Sequence, residues 1–406
     1  MLHQILLSLQ SNDSALADFY NAALTLSPEQ AADFDEFIRD CHTRLAVADD
    51  VYHFRRLYTD ACILKSVYDV SAPILNPSVA AQAIRSLDKA IIIAGAAGPG
   101  RHDLILDLIQ CIQSEHASLL RPPPLADVLF STTAPSMPAP VVAARQPIPR
   151  FDAPPSLDSF QRSIALRPFI VPGHASDWPA LNEHPWNSTQ YLRTVSGPGR
   201  VVPVEVGSDY RTGDWSQRIM GWDDFVTSLG QTSNEVLYLA QHSLFLQFPN
   251  MREDIVVPDY VYSCPNSSDS FPGYKPPTND EQLVLNVWLG PKGTISPAHV
   301  DPYNNCYVQV VGRKTVWLAP PWVSPALYTT SQRNPSVNKE IPQSSNTSQV
   351  DVFATEKSDE FPLFWKEVVP EAMAATLEPG DLLFFPPGWW HAFRSEDVSF
   401  SVSMWW

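Results

Sequence analysis

The spacing of apolar residues divides the chain into two regimes. Over residues 1 to about 120 they recur at helical intervals. Ser27-Pro28-Glu29-Gln30 reads as a capping box with proline at the first helical position, and Ala31, Phe34, Phe37 and Ile38 follow at helical spacing. Asp50 through Tyr68 carries Val51, Phe54, Leu57, Tyr58, Ala61 and Leu64 on one stripe. Asn76-Pro77 opens a helix to about Ala94, and Arg101 to Leu119 carries Leu104, Leu108, Cys111 and Ile112. Amphipathic helices in succession predict a small helical domain, because each must bury its stripe against another. Residues 121–150 (RPPPLADV, then TTAPSMPAPVVAARQPIPR) are rich in proline and alanine without periodicity, and predict an extended, semi-rigid linker.

From Phe151 the period shortens toward two. Short apolar runs at Phe169–Val171, Val201–Val206, Val236–Ala240, Leu283–Leu289, Tyr307–Val311, Lys314–Leu318, Leu382–Phe385 and Trp389–Phe393 predict strands, with a helix over Trp222–Leu229. Val398, Phe400, Val402 and Met404 alternate with Ser399, Ser401 and Ser403 in a last strand. Gly312-Arg313 predicts a tight hairpin turn carrying Lys314. Residues 329–348 are rich in Ser, Thr, Asn, Gln and Pro, and predict a mobile insertion. The whole is an α+β chain: an all-helical domain over 1–120, a linker over 121–150, and a jelly roll of the cupin kind over 151–406.

Composition narrows the partners. The net charge of −17 argues against direct nucleic-acid binding, which needs a basic face, and suits a basic protein or peptide. No run approaches the ~18 apolar residues of a membrane span. The start, MLHQILLSLQSNDS, lacks the basic region and apolar run of a signal peptide. The five cysteines (Cys41, Cys62, Cys111, Cys264, Cys306) form neither a disulfide framework nor a zinc module. Free thiols in a reducing compartment, nucleus or cytoplasm, are the expectation.

The candidate chemistry lies in two places. His299-Val300-Asp301 on a strand would point two side chains to one face. His391 sits in a late strand after the Pro386-Pro387-Gly388 turn. Two imidazoles and a carboxylate suit non-heme Fe(II) and leave coordination positions open. Lys314 would then pair with a carboxylate of an oxo-acid cosubstrate. By itself His-x-Asp is weak evidence, since a surface turn or a satisfied histidine gives the same pattern more often.

These residues resemble the Jumonji-C (JmjC) family of Fe(II)- and 2-oxoglutarate-dependent oxygenases. The resemblance runs through PVEVGSDY, YLAQHSLF, GTISPAHVDP, VQVVGRK, NTSQVDV and FSVSMWW, over about residues 150–406. It implies a double-stranded β-helix, with Fe(II) held by His299, Asp301 and His391, and O2 and 2-oxoglutarate consumed together. It further implies that Lys314 and Tyr238 hold the far carboxylate of 2-oxoglutarate, and that Ser296, Asn305 and Trp288 line its pocket. Glu205 and Trp215 correspond to residues that receive an arginine side chain, by a bidentate carboxylate and a stacking indole.

The primary expectation is hydroxylation of an arginine in a protein. The alternatives are demethylation of histone lysine and a non-catalytic cupin that binds partners. The terminal Trp405-Trp406 reads two ways: exposed, as a patch inviting a partner or a homodimer, or packed, as closure of the last strand.

Overall fold

The computed structural model describes residues 28–47, 50–71, 77–116, 120, 127, 129–130, 137–207, 209, 215–231, 235–266, 271–329 and 346–406. It falls into two compact units. One comprises Met1–Ala126, Leu192–Pro203 and Ile219–Phe225; the other comprises Asp127–Tyr191, Val204–Arg218 and Val226–Trp406.

The first unit is built on four helices: α1 (Pro28–Leu45), α2 (Val51–Val70), α3 (Pro77–Ala94) and α4 (Arg101–Glu115). Asp50 caps α2 by accepting from the His53 backbone N–H. The stripes meet in one core of Tyr58, Ile63, Leu64, Ile84, Leu87, Leu104, Ile105 and Leu108, among others, with Phe34 and Ile38 packed on it. Phe37, which the stripe would place inside, is 39% exposed. Ser27 and Asn76, read as helix starts, lie outside the described residues. The later segment of this unit is pinned by a buried ion pair. Arg200 meets Asp88 through Nη2–Oδ1 at 2.7 Å and Nε–Oδ2 at 2.9 Å, and the Val201 N–H donates to the same carboxylate.

The second unit is two facing sheets. One has five strands in the order β1-β10-β9-β12-β7: Gln146–Pro147, Met373–Leu377, Lys314–Ala319, Trp390–Ser395 and Ile295–Val300. The other follows the order β2-β11-β8-β13-β6-β5-β3-β4: Phe169–Val171, Leu382–Phe385, Asn305–Val311, Ser399–Trp405, Val284–Gly290, Leu237–His242, Val201–Val206 and Ser216–Gly221, the last two contributing Val204–Val206 and Ser216–Arg218 to this unit. Between the sheets lie Tyr307, Val316, Leu318, Leu377, Leu383, Phe385, Trp389 and Phe393. The α+β expectation therefore holds, with helices first and antiparallel sheets after.

One local expectation fails. β8 and β9 do not form a hairpin. β8 lies between β11 and β13 in one sheet, and β9 lies between β10 and β12 in the other. Gly312 and Arg313 form an arch between sheets. Gly312 has φ +65°, and a Cβ there would lie 2.1 Å from the Val398 carbonyl oxygen. Arg313 is fixed by Asp397, Nε to Oδ2 at 2.8 Å. Short spacing predicts a hairpin, but a jelly roll folds such pairs over its rim.

The serines of β13 are also buried. Every residue of Ser399–Trp405 is buried, because the strand has a covered face on both sides. Ser401, Ser403 and Trp405 share the face of Gln309, Tyr307 and Asn305 on β8. On the opposite face, Phe400 meets Trp186 with ring centroids 4.5 Å apart.

Part of the proline-rich stretch is packed. Gln146–Pro147 pairs with β10, Ala143 is buried, and the Trp317 indole donates to the Ala143 carbonyl at 2.8 Å. The expected mobile insertion falls mostly on 330–345, outside the described residues. Its ends are held together by a Thr329–Ser348 bridge, and Thr347 bridges to His299.

Candidate metal centre and cosubstrate pocket

His299 and His391 are direct cross-strand partners on β7 and β12. Side chains of such a pair project to the same face, and here the imidazole centroids are 4.2 Å apart. Asp301, two residues beyond His299, follows on that face. The register of β12 slips between His391 and Phe393. Such a bulge re-aims side chains at the rim of a barrel. The Gly388 N–H donates to the Asp301 carbonyl at 3.0 Å, which ties the turn before His391 to the carboxylate's own backbone.

Both imidazoles are oriented from behind. His299 Nδ1 lies 2.7 Å from the Pro297 carbonyl, and His391 Nδ1 lies 3.0 Å from the Trp389 carbonyl. A carbonyl only accepts, so each Nδ1 carries the hydrogen and each Nε2 presents its lone pair. Burial and the neighbouring His391 push the His299 pKa down to about 4, which keeps that ring neutral.

The Nε2 atoms approach Asp301 Oδ2 at 3.8 Å from His299 and 3.4 Å from His391. The buried Oδ2 has no hydrogen-bond partner. Three acceptors thus face one another, an arrangement that a cation between them would satisfy. One atom from each residue lies within 4.8 Å of the others, the only such cluster among the described residues. The residues fit a divalent metal, and the ligand set is the one that suits non-heme iron.

A cavity opens beside this cluster, lined by Tyr238, Trp288, Ser296, Asn305, Tyr307, Phe393, Ser403 and Trp405 together with the triad. Lys314 lies behind its Tyr238 and Tyr307, 1% exposed. Its Nζ donates to Tyr307 Oη at 3.0 Å and to Tyr238 Oη at 3.4 Å. No carboxylate among the described residues pairs with it. Burial without a counter-charge pulls its pKa down from 10.5 to about 7. Trp288 is held by its indole N–H donating to Ser403 Oγ at 3.0 Å.

Glu205 and Trp215 lie elsewhere in the same unit. The Trp215 indole donates to Glu205 Oε2 at 3.2 Å. Glu205 on β3 is the cross-strand partner of Tyr238 on β5, so it shares the face of a cavity-lining residue. Burial raises the Glu205 pKa against the hydrogen bonds from Trp215 and Gln217.

The structure thus gathers His299, Asp301, His391, Tyr238, Trp288, Ser296 and Asn305 at one cavity, with Lys314 behind it and Glu205–Trp215 beside it. Tyr307, Phe393, Ser403 and Trp405 were missed. The signal was available: Asn305 and Tyr307 alternate, as do Ser403 and Trp405.

Comparison with known proteins agrees with this arrangement. The family model described as a cupin-like domain matches residues 159–406. The chain belongs to the cupin-like JmjC family. Among JmjC relatives, lysine-specific demethylase 8 of Danio rerio is 40% identical over 273 residues, covering 66% of this chain and 60% of the relative. Jumonji C domain-containing protein 5 of Drosophila melanogaster is 38% identical over 266 residues, covering 64% and 59%. Lysine-specific demethylase JMJ30 of Arabidopsis thaliana is 36% identical over 256 residues, covering 62% and 53%. The match thus spans little more than half the length of these JmjC relatives.

Proposed function

We propose that this JmjC chain is an Fe(II)- and 2-oxoglutarate-dependent oxygenase that hydroxylates an arginine side chain of a protein. The observation that carries the reading is the pairing of two unmet demands at one cavity: two imidazole acceptors facing an orphaned Asp301 oxygen, and a buried lysine with no carboxylate partner among the described residues. A metal answers the first and an anionic cosubstrate answers the second. Bound iron would supply the redox chemistry that activates O2 and splits the oxo-acid.

The chain's own residues hold and orient. His299, Asp301 and His391 would hold the metal, with Nδ1–H bonds fixing both rings. Lys314 and Tyr238 would take the far carboxylate of 2-oxoglutarate. Ser296, Asn305 and Trp288 would wall the cosubstrate. Glu205 would receive a guanidinium: its carboxylate is half-buried, with the Trp215 indole as a hydrogen-bond donor beside it. Such a site rewards a planar cation that can be paired bidentately.

A second reading follows from the names of the zebrafish and Arabidopsis relatives, lysine-specific demethylases. Hydroxylation of an N-methyl carbon would use the same metal and cosubstrate. One assay separates the two: iron-loaded protein with 2-oxoglutarate and either arginine or methyl-lysine peptides, read by succinate and by peptide mass. A gain of one oxygen on arginine is the expected result. Loss of a methyl group from lysine would replace the first reading by the second. No succinate with iron bound would remove both and leave a binding protein.

A further inference from the structure

Of the twelve tryptophans, eight are buried, the terminal Trp405 and Trp406 among them, which removes the exposed-patch reading of that pair. Trp215, Trp288 and Trp365 are half-buried. Trp322 alone is exposed, at 62%. A single exposed apolar residue needs no explanation by itself. Its place, its rigidity and its charged neighbours decide whether it has a use.

The place follows from strand register. Trp390 on β12 pairs with Ala319 on β9 at one side and with Val300 on β7 at the other. The ends of β9 and β7 therefore reach the same rim, two strand spacings or about 10 Å apart. Asp301 leaves β7 at that rim, and the short helix Pro321–Ala326 leaves β9 there. Trp322 meets Trp389 edge to face, with centroids 6.3 Å apart at 75°. Trp389 is the residue whose carbonyl orients His391. The exposed indole thus stands at the mouth of the metal cavity and is not one of its lining residues.

The helix that carries it is held still. Pro321 opens it and Pro325 lies within it. Ser324 Oγ accepts from the Trp390 indole at 2.9 Å and donates to the Pro321 carbonyl at 2.5 Å. Val323 and Ala326 share a buried core with Phe364 and Val368. A preorganised aromatic surface binds with little ordering cost. Charge lies alongside. Tyr328, just past this helix, accepts from the Leu363 N–H at 3.2 Å and packs its ring on Phe361. That fastens the stretch before Phe364 to the helix end, and the stretch exposes Asp351, Glu356, Asp359 and Glu360 against one lysine, Lys357. The face of an indole attracts cations. With carboxylates nearby and a net charge of −17, the group that suits Trp322 is cationic.

We propose that Trp322 is a specificity-determining residue that takes a second basic side chain, lysine or arginine, of the protein substrate, about three to five residues from the one that enters the cavity. The spacing follows from the rim: about 10 Å, lengthened by the reach to Trp322, is what extended chain covers in that many residues. The proposal rests on the arginine-hydroxylation reading above and narrows its substrate to a segment with two separated cations.

The test uses the iron-loaded chain with 2-oxoglutarate and peptides of equal length. One carries a single arginine in a glycine–serine background; the others add a lysine at stepped distances on either side. Succinate gives kcat and KM, and peptide mass locates the added oxygen. The expected result is a KM about two- to fivefold lower with the lysine at the stated spacing, with kcat unchanged. Trp322→Ala should lose that gain, and Trp322→Phe, which keeps a ring, should retain part of it. The single-arginine peptide and 2-oxoglutarate should behave alike in all three chains. A lysine gain that survives Trp322→Ala would overturn the proposal. So would an equal gain with the lysine beyond reach of Trp322, which marks diffuse attraction to an acidic chain. Oxygen on the single-arginine peptide keeps the arginine reading intact in either case. No oxygen on any arginine peptide would sink that reading, and the proposal with it.

Discussion

Replacing Lys314 by methionine should improve the fold and abolish cosubstrate capture at once. The lysine is 1% exposed and faces Tyr238, Tyr307 and Phe393. Its pKa drops from 10.5 to about 7 for lack of a counter-charge. An unfolded lysine keeps its proton up to 10.5, whereas the folded one releases it near 7. Between those values the unfolded chain binds more protons, so stability rises with pH across that window. At pH 7 the buried lysine costs about 4 kcal/mol, from 1.36 kcal/mol per pKa unit. Lys314→Met removes that cost and should raise the unfolding midpoint of the metal-loaded, oxo-acid-free chain.

The same shift makes binding draw in a proton. A carboxylate arriving at Lys314 needs the ammonium, so above pH 7 the site must be protonated as it fills. Calorimetry of 2-oxoglutarate binding to manganese-loaded protein, run in buffers of different ionisation enthalpy, reads this directly. The expected uptake is about half a proton at pH 7 and about nine-tenths at pH 8. Affinity should fall about tenfold per pH unit above 7. His299, with its pKa near 4, stays out of this window. Binding without proton uptake at pH 8, or binding that survives Lys314→Met unchanged, would refute the placement of a carboxylate on this lysine.

Four other changes have expected outcomes. His299→Ala should abolish iron binding and turnover with an unchanged circular dichroism spectrum, and a variant that still binds iron would take this residue out of the centre. Glu205→Gln should weaken an arginine peptide by about 2–5 kcal/mol while leaving 2-oxoglutarate affinity alone, as peptide titrations can check. Asp88→Ala strands Arg200 in the interior and should cost about 3–5 kcal/mol in urea unfolding; a loss under 1 kcal/mol would mean the pair is hydrated. Gly312→Ala drives a methyl into the Val398 carbonyl at a φ of +65° and should destabilise by more than about 1 kcal/mol in the same assay.

Period and turn residues made much of the architecture legible. The runs at Phe169–Val171, Val201–Val206 and Leu382–Phe385 and the helix at Trp222–Leu229 have the bounds that local pattern gives them. What pattern could not give was sheet membership. Tyr307 and Lys314 are close in sequence, and only long-range pairing decides that they stand on different sheets. The triad was legible because His-x-Asp on a strand fixes two side chains to one face. The state of Trp405-Trp406 was not, since a terminal tryptophan pair reads the same whether it packs or stands exposed for a partner. Only burial, 6% and 5% exposure here, distinguishes these, and that is a property of three-dimensional surroundings.

The arch at Gly312–Arg313 has a mechanical consequence. It puts the lysine on one wall and its tyrosine neighbour on the other, and the imidazoles share the lysine's wall while Trp405 shares the tyrosine's. The gap between the two sheets, maintained by Val316, Leu318, Leu383 and Phe385, therefore sets the width of the cavity, while the span from the imidazoles to the lysine is fixed within one sheet. The core acts as a spacer. Enlarging or shaving Val316, Leu318 or Leu383 would change how thick a ligand fits, while leaving that span alone.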